Sequence, residues 1–368
     1  MIVVTGGAGF IGSAVVAALN AQGDRDIVIV DNLLDSAKWK NLVSLKYRDY
    51  VHKSQFLARL RSPEMKDIRA IVHMGACSST TETDGDYLMA NNYAYTREIA
   101  EYALEKGIRF VYASSAATYG GIESGFDDDD ATSLTLKPIN RYGYSKQFFD
   151  EVAISKGWQK SIAGLKFFNV YGPNEYHKGD MSSVVYKAFH QISENGFLKL
   201  FKSHRAEYKD GEQKRDFVYI KDCVAVILQL IDKRSVNGIF NLGSGTARSW
   251  NDLAAAVFTA MGRETLKNLP QGDDRPITEV VTTQSGFVQD AFGNVYARGN
   301  HANIQYQIDG IPIPDSVGSL FASALPVRII DSLEILSGGM PAEFGNRMAA
   351  VVNINTRRGN AQPEGMAQ

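Results

Sequence analysis

Apolar and polar positions along the first two-thirds of the chain follow two alternating periods. Short apolar runs at Ile2–Val4, Ile27–Val30, Ala70–His73, Arg109–Ala113 and Ser161–Phe168 read as strands buried on both faces. Segments of helical spacing lie between them, from Ile11 to Gln22, from Ala90 to Lys106, and onward from Ser145. Strands of this kind joined by crossover helices predict an α/β fold built on a doubly wound parallel sheet. Near Glu264 the alternation stops. From Asp273 the chain turns rich in Gly, Asn and Pro, and period-two segments such as Ile304, Tyr306 and Ile308 precede the turn signal Asp309-Gly310. A boundary is therefore expected at 264–272, with a β-rich C-terminal segment over 265–368. Two polar stretches, Asp127 to Asp130 and Lys202 to Arg215, read as solvated loops, and the second is able to touch a ligand.

Composition narrows the function. Thirty-nine basic against 41 acidic residues leave a net charge of -2, which gives no electrostatic footprint for DNA or RNA. Cys77 and Cys223 are the only cysteines, so neither a disulfide framework nor a CxxC metal site can be written. The densest apolar run, Val224 to Ile231, contains Gln229 and falls short of the ~18 residues of a membrane span. The N-terminal residues run straight into a glycine loop without a basic region and apolar core, so a cytoplasmic protein is expected.

That loop, Thr5-Gly6-Gly7-Ala8-Gly9-Phe10-Ile11-Gly12, follows a predicted strand and opens a predicted helix. Gly6 permits the tight turn, Gly9 a close approach to a pyrophosphate, and Gly12 close helix–sheet packing. Glycines at strand–helix turns often serve the backbone alone. Here Asp31 also ends the second strand about 20 residues further on, where a carboxylate binds a ribose hydroxyl. Lys38 and Lys53 could pair with a 2′-phosphate and favour NADP, and they read equally well as surface lysines. A second constellation pairs the strand end Ser114-Ser115 with Tyr142-Gly143-Tyr144-Ser145-Lys146 at the next helix. Tyr142 and Lys146 share a helix face, so the ammonium can lower the phenol's pKa and make it a base for a sugar hydroxyl held by Ser115. Alone, Tyr-x-x-x-Lys is a common accident; the ordered set of loop, Ser-Ser strand end and Tyr–Lys pair carries the specificity.

The runs VTGGAGFIGS, VDNL, GACSSTTE, NNY, YASSAATYGG, YGYSK, FFNVYGPNEYHKG, KRDFVYIKD and GIFNLGSGTA complete a pattern over residues 1–264. That stretch resembles the extended short-chain dehydrogenase/reductase family, with its Rossmann fold, and within it the ADP-L-glycero-D-manno-heptose 6-epimerases. The resemblance implies NADP contacts from Phe10, Ile11, Asp31, Asn32, Lys38, Lys53, Met74, Gly75, Ala76, Cys77, Ser78, Asn91, Lys146 and Val170. It implies substrate contacts from Ser115, Asn169, Asp180, Lys187, Phe201, Lys202, Ser203, His204 and Arg215, in a lobe mainly from 171–217 and 238–264. The implied reaction converts ADP-D-glycero-D-manno-heptose to its L-glycero epimer by transient oxidation, with Tyr142 and Lys178 as two proton relays. By residue chemistry alone, Lys178 reads equally as a solvated lysine. A homo-oligomer goes with the resemblance. Two positions depart from the family pattern, Met74 in place of Glu and Asp180 in place of Ser. The family's further stretch, which includes a substrate-contacting Tyr, has no counterpart after Glu264, so the substrate lobe is expected to be incomplete and turnover impaired.

Residues 273–359 resemble the plug domain of TonB-dependent receptors, through ITEVVTTQSGF, RGNHANIQYQIDGIPIPDS and IIDSLEILSGGMPAEFGNRMAAVVNINTRRG. A fused reading frame is the simplest expectation. Two alternatives stay open: another sugar-nucleotide oxidoreductase or dehydratase of the same fold, and a non-catalytic plug-like binding module.

Overall fold

A computed structural model of the chain describes residues 1–121, 125–195, 197–200, 202–203, 209–267, 277–282, 287–289, 295–297, 304–314, 325–326, 329–336 and 350–356. The chain divides into two compact units, Met1–Leu253 and Ala254–Gln368.

The strands of the first unit are β1 (Ile2–Thr5), β2 (Ile27–Asp31), β3 (Asp49–His52), β4 (Ala70–His73), β5 (Arg109–Ser115), β6 (Ala163–Phe167), β7 (Asn169–Tyr171), β8 (Lys214–Tyr219), β9 (Gly238–Leu242) and β10 (Ala247–Ser249). Its helices are α1 (Phe10–Ala21), α2 (Lys53–Leu60), α3 (Gly85–Leu88), α4 (Tyr95–Glu105), α5 (Asp130–Ser133), α6 (Arg141–Ser155), α7 (Val184–Asn195) and α8 (Ile220–Asp232), and α9 (Trp250–Lys267) follows. Seven strands form one parallel sheet in the order β3-β2-β1-β4-β5-β6-β9. Alternate strand residues face opposite ways. Val3, Val28, Val30, Ile71 and Phe110 join Phe56, Ile99, Ala103 and Phe149 from α2, α4 and α6 on one face. Ile2, Val4, Ile27, Ile29 and Val72 pack on Val15, Val16, Leu19, Val224 and Ile227 from α1 and α8 on the other. Burial of both faces is why these strands read as unbroken apolar runs, and the expected doubly wound sheet is present. A smaller sheet of order β10-β8-β7 lies beyond the C-terminal end of β6 in the chain.

Local differences from the sequence reading have physical causes. The edge strand β3 buries only Val51, so no apolar run marks it. The helix expected from Ala90 begins as a π-helical turn, Met89–Ala94, before α4. The helix expected from Ser145 starts at Arg141, because the Asn140 side chain caps it by accepting from Gly143 N–H at 2.7 Å. The Asp127–Asp130 stretch is a mostly exposed approach to α5, capped by Asp129. Among the described residues no metal-ligand cluster occurs, and no helix is long and apolar enough to cross a membrane.

In the second unit, α10 (Ile277–Thr282) accompanies a hairpin of β11 (Phe287–Gln289) and β12 (Val295–Ala297). A four-stranded sheet runs β14-β13-β16-β15, from β13 (Ile304–Ile308), β14 (Ile311–Pro312), β15 (Ile330–Leu336) and β16 (Ala350–Thr356). The expected Asp309-Gly310 turn closes the β13–β14 hairpin with φ of 49° and 80°. Its own core gathers Val281, Phe287, Tyr306, Val352 and Ile354.

Candidate active site

The strand order reverses between β1 and β4, and in sheets of this kind ligands bind at the C-terminal strand ends of such a switch point. The glycine loop lies there. Gly6 has φ of +66°, and a Cβ on it would lie 2.7 Å from the Gly75 nitrogen, so the loops after β1 and β4 approach as only glycines allow. A Cβ on Gly12 would sit 2.1 Å from the Gly6 carbonyl oxygen. Gly9 caps α1 with no side-chain acceptor, which leaves the helix's first N–H groups to an anion. Phe10 and Ile11 open that helix, Phe10 buried and Ile11 half-buried.

Asp31 ends β2 at 6% exposure. Its carboxylate accepts from Ala8 N–H at 2.9 Å, from Asn32 N–H at 2.7 Å and from Lys38 Nζ at 2.7 Å, and Lys38 also donates to Asn32 Oδ1 at 3.2 Å. Lys53 donates to Asn91 Oδ1 at 2.8 Å. The loop after β4 is pinned by Met74 N–H on the Thr5 carbonyl at 3.1 Å and Gly75 N–H on Thr5 Oγ1 at 3.1 Å. Ala76 is half-buried, as is Cys77, whereas Ser78 is exposed. Buried Asn92, which the sequence reading did not single out, exchanges two hydrogen bonds with the Cys77 backbone, at 2.8 and 2.9 Å, and donates to Ser145 Oγ at 3.0 Å. It ties the β4 loop to α6 from within the π-helical turn, a distortion frequent at functional sites. The cradle fits a dinucleotide. Burial and the charges of Lys38 and Lys178 lower the pKa of the neighbouring His177, and a hydrogen bond with the Asn174 backbone opposes them.

Ser115, at the end of β5, and Tyr142, in the first turn of α6, come together through their side chains. Burial raises the phenol above its ordinary pKa, and the hydrogen bond with Ser115 opposes that rise. Its place four residues along α6 suggests that Lys146 lowers the phenol. Lys146 instead donates to the Ala113 carbonyl at 2.8 Å, and burial pushes its own pKa down to about 8 against the pull of the Asp150 carboxylate. One turn along α6, fully buried Asp150 pairs with Lys166 at 3.0 Å and accepts from Tyr112 at 2.8 Å and Ser114 at 2.6 Å. Ser114, a member of this network, adjoins Ser115 in β5, and only a lysine within the apolar run of β6 could have flagged the network.

The segment after β7 folds back onto the glycine loop. Asn174 donates to Ser13 Oγ at 3.2 Å, the Tyr176 hydroxyl bonds Asn41 Oδ1, and Asn41 in turn holds the Ala8 carbonyl at 2.9 Å. Lys178 Nζ stands 4.8 Å over the Phe10 ring. On the β7–β8 side, Asn169 donates to the Asp216 carbonyl at 3.1 Å, Val170 is half-buried, and Arg215 is exposed with one guanidinium nitrogen on the Lys214 carbonyl at 2.7 Å. Lys187 donates to the Asp180 carbonyl at 2.6 Å, Ser203 N–H to Asp210 Oδ1 at 2.7 Å, and Lys202 is exposed. Phe201 and His204 lie outside the described residues.

A glycine cradle at the switch point of a doubly wound sheet, with Ser, Tyr and Lys at the ends of β5 and α6, defines a nicotinamide-dependent enzyme of the short-chain dehydrogenase/reductase type. Residues 2–243 match the NAD dependent epimerase/dehydratase family, and the chain belongs to it. Residues 252–352 match the TonB-dependent Receptor Plug Domain. The ADP-L-glycero-D-manno-heptose-6-epimerase of Nitratidesulfovibrio vulgaris strain DP4 is 58% identical over 265 residues, covering 72% of this chain and 82% of the relative. That of Fusobacterium nucleatum is 50% identical over 264 residues, 71% of this chain and 80% of the relative. Among solved structures, the Helicobacter pylori ADP-L-glycero-D-manno-heptose-6-epimerase superposes with a TM-score of 0.61 at 29% identity, over 71% of this chain and 82% of that one. The UDP-glucuronic acid 4-epimerase from Bacillus cereus in complex with NAD superposes at 0.58 and 26% identity, over 71% and 84%.

Proposed function

We propose that residues 1–264 epimerise ADP-D-glycero-D-manno-heptose to ADP-L-glycero-D-manno-heptose, with residues 265–368 a plug-like fusion. The observation that carries this reading is the docking of the Lys178 segment on the glycine loop, which brings a second proton carrier to the cofactor cradle besides Tyr142. The identity of 58% to a heptose epimerase supports the substrate class. When bound, the nicotinamide supplies a reversible hydride acceptor. Ser115 holds the sugar hydroxyl, Tyr142 takes its proton, and Lys178 exchanges a proton with the same oxygen in the other epimer. Asn169, Asp180, Lys187, Lys202, Ser203 and Arg215, with Phe201 and His204, form the substrate side; Gly6, Gly9, Gly12, Asp31, Asn32, Lys53, Asn91 and the 74–78 loop hold the cofactor. We assign NADP rather than NAD, because Lys38 compensates the Asp31 charge that would repel a 2′-phosphate. A homo-oligomer, as the family resemblance implies, is part of the same proposal.

Incubation of the full chain with ADP-D-glycero-D-manno-heptose, followed by NMR, is expected to yield the L-glycero epimer with cofactor retained. Tyr142→Phe should leave NADP affinity intact and lower kcat by about 10² to 10⁴. A dehydrated product, NADP consumed in step with the sugar, or a Tyr142→Phe enzyme of undiminished rate would refute the assignment.

A further inference from the structure

Glu175 was not among the residues singled out in the sequence, yet it is 1% exposed and every oxygen of its carboxylate is used. Oε1 accepts from Gly172 N–H at 3.1 Å and from the Ser183 hydroxyl at 2.7 Å. Oε2 accepts from Ser183 N–H at 2.6 Å and faces Lys178 Nζ at 3.8 Å. One carboxylate thus joins the two ends of the segment that carries Lys178, at the exit of β7 and the entry of α7. The same segment reaches the cofactor wall through Asn174 on Ser13, Tyr176 on Asn41 and Lys178 over Phe10. A buried carboxylate costs several kcal/mol of lost hydration unless donors and a cation repay it. Its neighbours repay it here, and the arrangement is stiff because they come from three points of the segment, Gly172, Lys178 and Ser183.

We propose that Glu175 is the positioning residue for Lys178: its carboxylate ties Gly172 to Ser183 and fixes the place and charge of the ammonium over the glycine loop. The proposal rests on the acid/base reading of Lys178. The groups that face this ammonium are Glu175 from its own segment, Lys187 from α7, the neighbouring His177, and the Phe10 ring from α1. Burial lowers the Lys178 pKa, Lys187 lowers it further, and the Glu175 carboxylate raises it. Removing the carboxylate's charge therefore lets the lysine lose its proton at lower pH.

The test uses the full chain and compares Glu175→Gln, Glu175→Asp, Lys178→Met and the Glu175→Gln/Lys178→Met double variant. Glu175→Gln is expected to lower kcat on the order of 10²-fold, as small misplacements of a reacting group do, with KM and NADP affinity nearly unchanged. The lysine limb of its kcat/KM profile moves to lower pH. Glu175→Asp, which keeps the charge, keeps the limb where it is and recovers part of kcat. The double variant loses no more than Lys178→Met alone, because Glu175 acts through that lysine. An unmoved limb in Glu175→Gln, or additive losses in the double variant, overturns the proposal. Should Glu175→Gln not fold, Ser183→Ala carries the test: it loosens the carboxylate without altering its charge, so kcat falls with the limb in place, and wild-type kcat overturns the proposal. Full activity in Lys178→Met would sink the acid/base reading itself. An inactive Lys178→Met beside a fully active Glu175→Gln would sink only the role of Glu175.

Discussion

Lys38 and Asp31 form a pair in which each partner changes what the other can bind. The ammonium, at 16% side-chain exposure, bridges the carboxylate and Asn32 Oδ1, so the end of β2 carries a compensated charge where a bare carboxylate would repel a phosphate. An ionic contact of this kind to a 2′-phosphate is worth about 1 to 3 kcal/mol. Lys38→Ala is accordingly expected to weaken NADP by that amount while sparing NAD, measured as the ratio of the two dissociation constants by titration calorimetry. A ratio that stays at its wild-type value would remove Lys38 from the selectivity. Asp31 and Lys38 were both visible in the sequence, because the distance from the glycine loop to the end of the second strand is set by one helix and one turn. Their mutual bond was not, since a seven-residue separation across a strand end has no fixed geometry.

At the scale of elements, His73 joins three of them. Its ring nitrogens meet Thr5 Oγ1 of β1 at 2.7 Å and Thr96 Oγ1 of α4 at 2.8 Å, inside the sheet that carries the cradle. Burial, helped by the charge of Lys146, pushes its pKa down from 6.5 to about 3. Above pH 6.5 neither the folded nor the unfolded chain protonates it, and its contribution is constant. Below that value the unfolded chain binds a proton that the folded chain refuses, so stability falls by up to about 1.4 kcal/mol per pH unit on the way to pH 3. Between pH 7 and pH 5 the wild type should lose about 2 kcal/mol more than His73→Asn in urea titrations. Equal losses in the two proteins would mean that another group governs the acid limb. The β strands of the sheet interior were legible because both faces are apolar, whereas β3 was not, since an edge strand with one buried residue has no such signature. The π-helical turn that carries Asn91 and Asn92 was read as ordinary helix, because its distortion answers to the β4 loop and α6 and not to local spacing.

At the scale of the whole molecule, each unit has a core of its own. The glycine loop, Asp31, the Tyr142–Lys146 pair and Lys178 all fall within Met1–Leu253, which has core clusters of its own on both faces of the sheet. The tail unit has a separate core. A chain cut after Gly272 should therefore bind NADP as tightly as the full chain. Epimerisation should be slow in both, because the match to the N. vulgaris relative covers 82% of that protein and the plug match takes over from residue 252. A sugar pocket without its full cover loses orientation and water exclusion. Calorimetry for NADP and NMR for the sugar, run side by side on the two chains, check this. Loss of NADP binding on cutting, or brisk turnover confined to the full chain, would make the tail an integral lobe.

The sequence by itself determined the sheet interior, the glycine cradle, Asp31 and the Ser115, Tyr142, Lys146 set, because each of these is written in local periodicity or in a fixed spacing along one turn of chain. The tail's β character and its Asp309-Gly310 hairpin were determined in the same way. Only the tertiary structure decided where Lys178 goes, for by residue chemistry it was a lysine in a polar loop until Asn174, Tyr176 and Phe10 placed it over the start of α1. Glu175, Asn92 and the Asp150–Lys166 pair belong to that second group as well. Asn92 and the Asp150–Lys166 pair work through partners drawn from another element, and Glu175 through the folding back of its own segment; such meetings are fixed by packing and desolvation rather than by any repeat that a sequence displays.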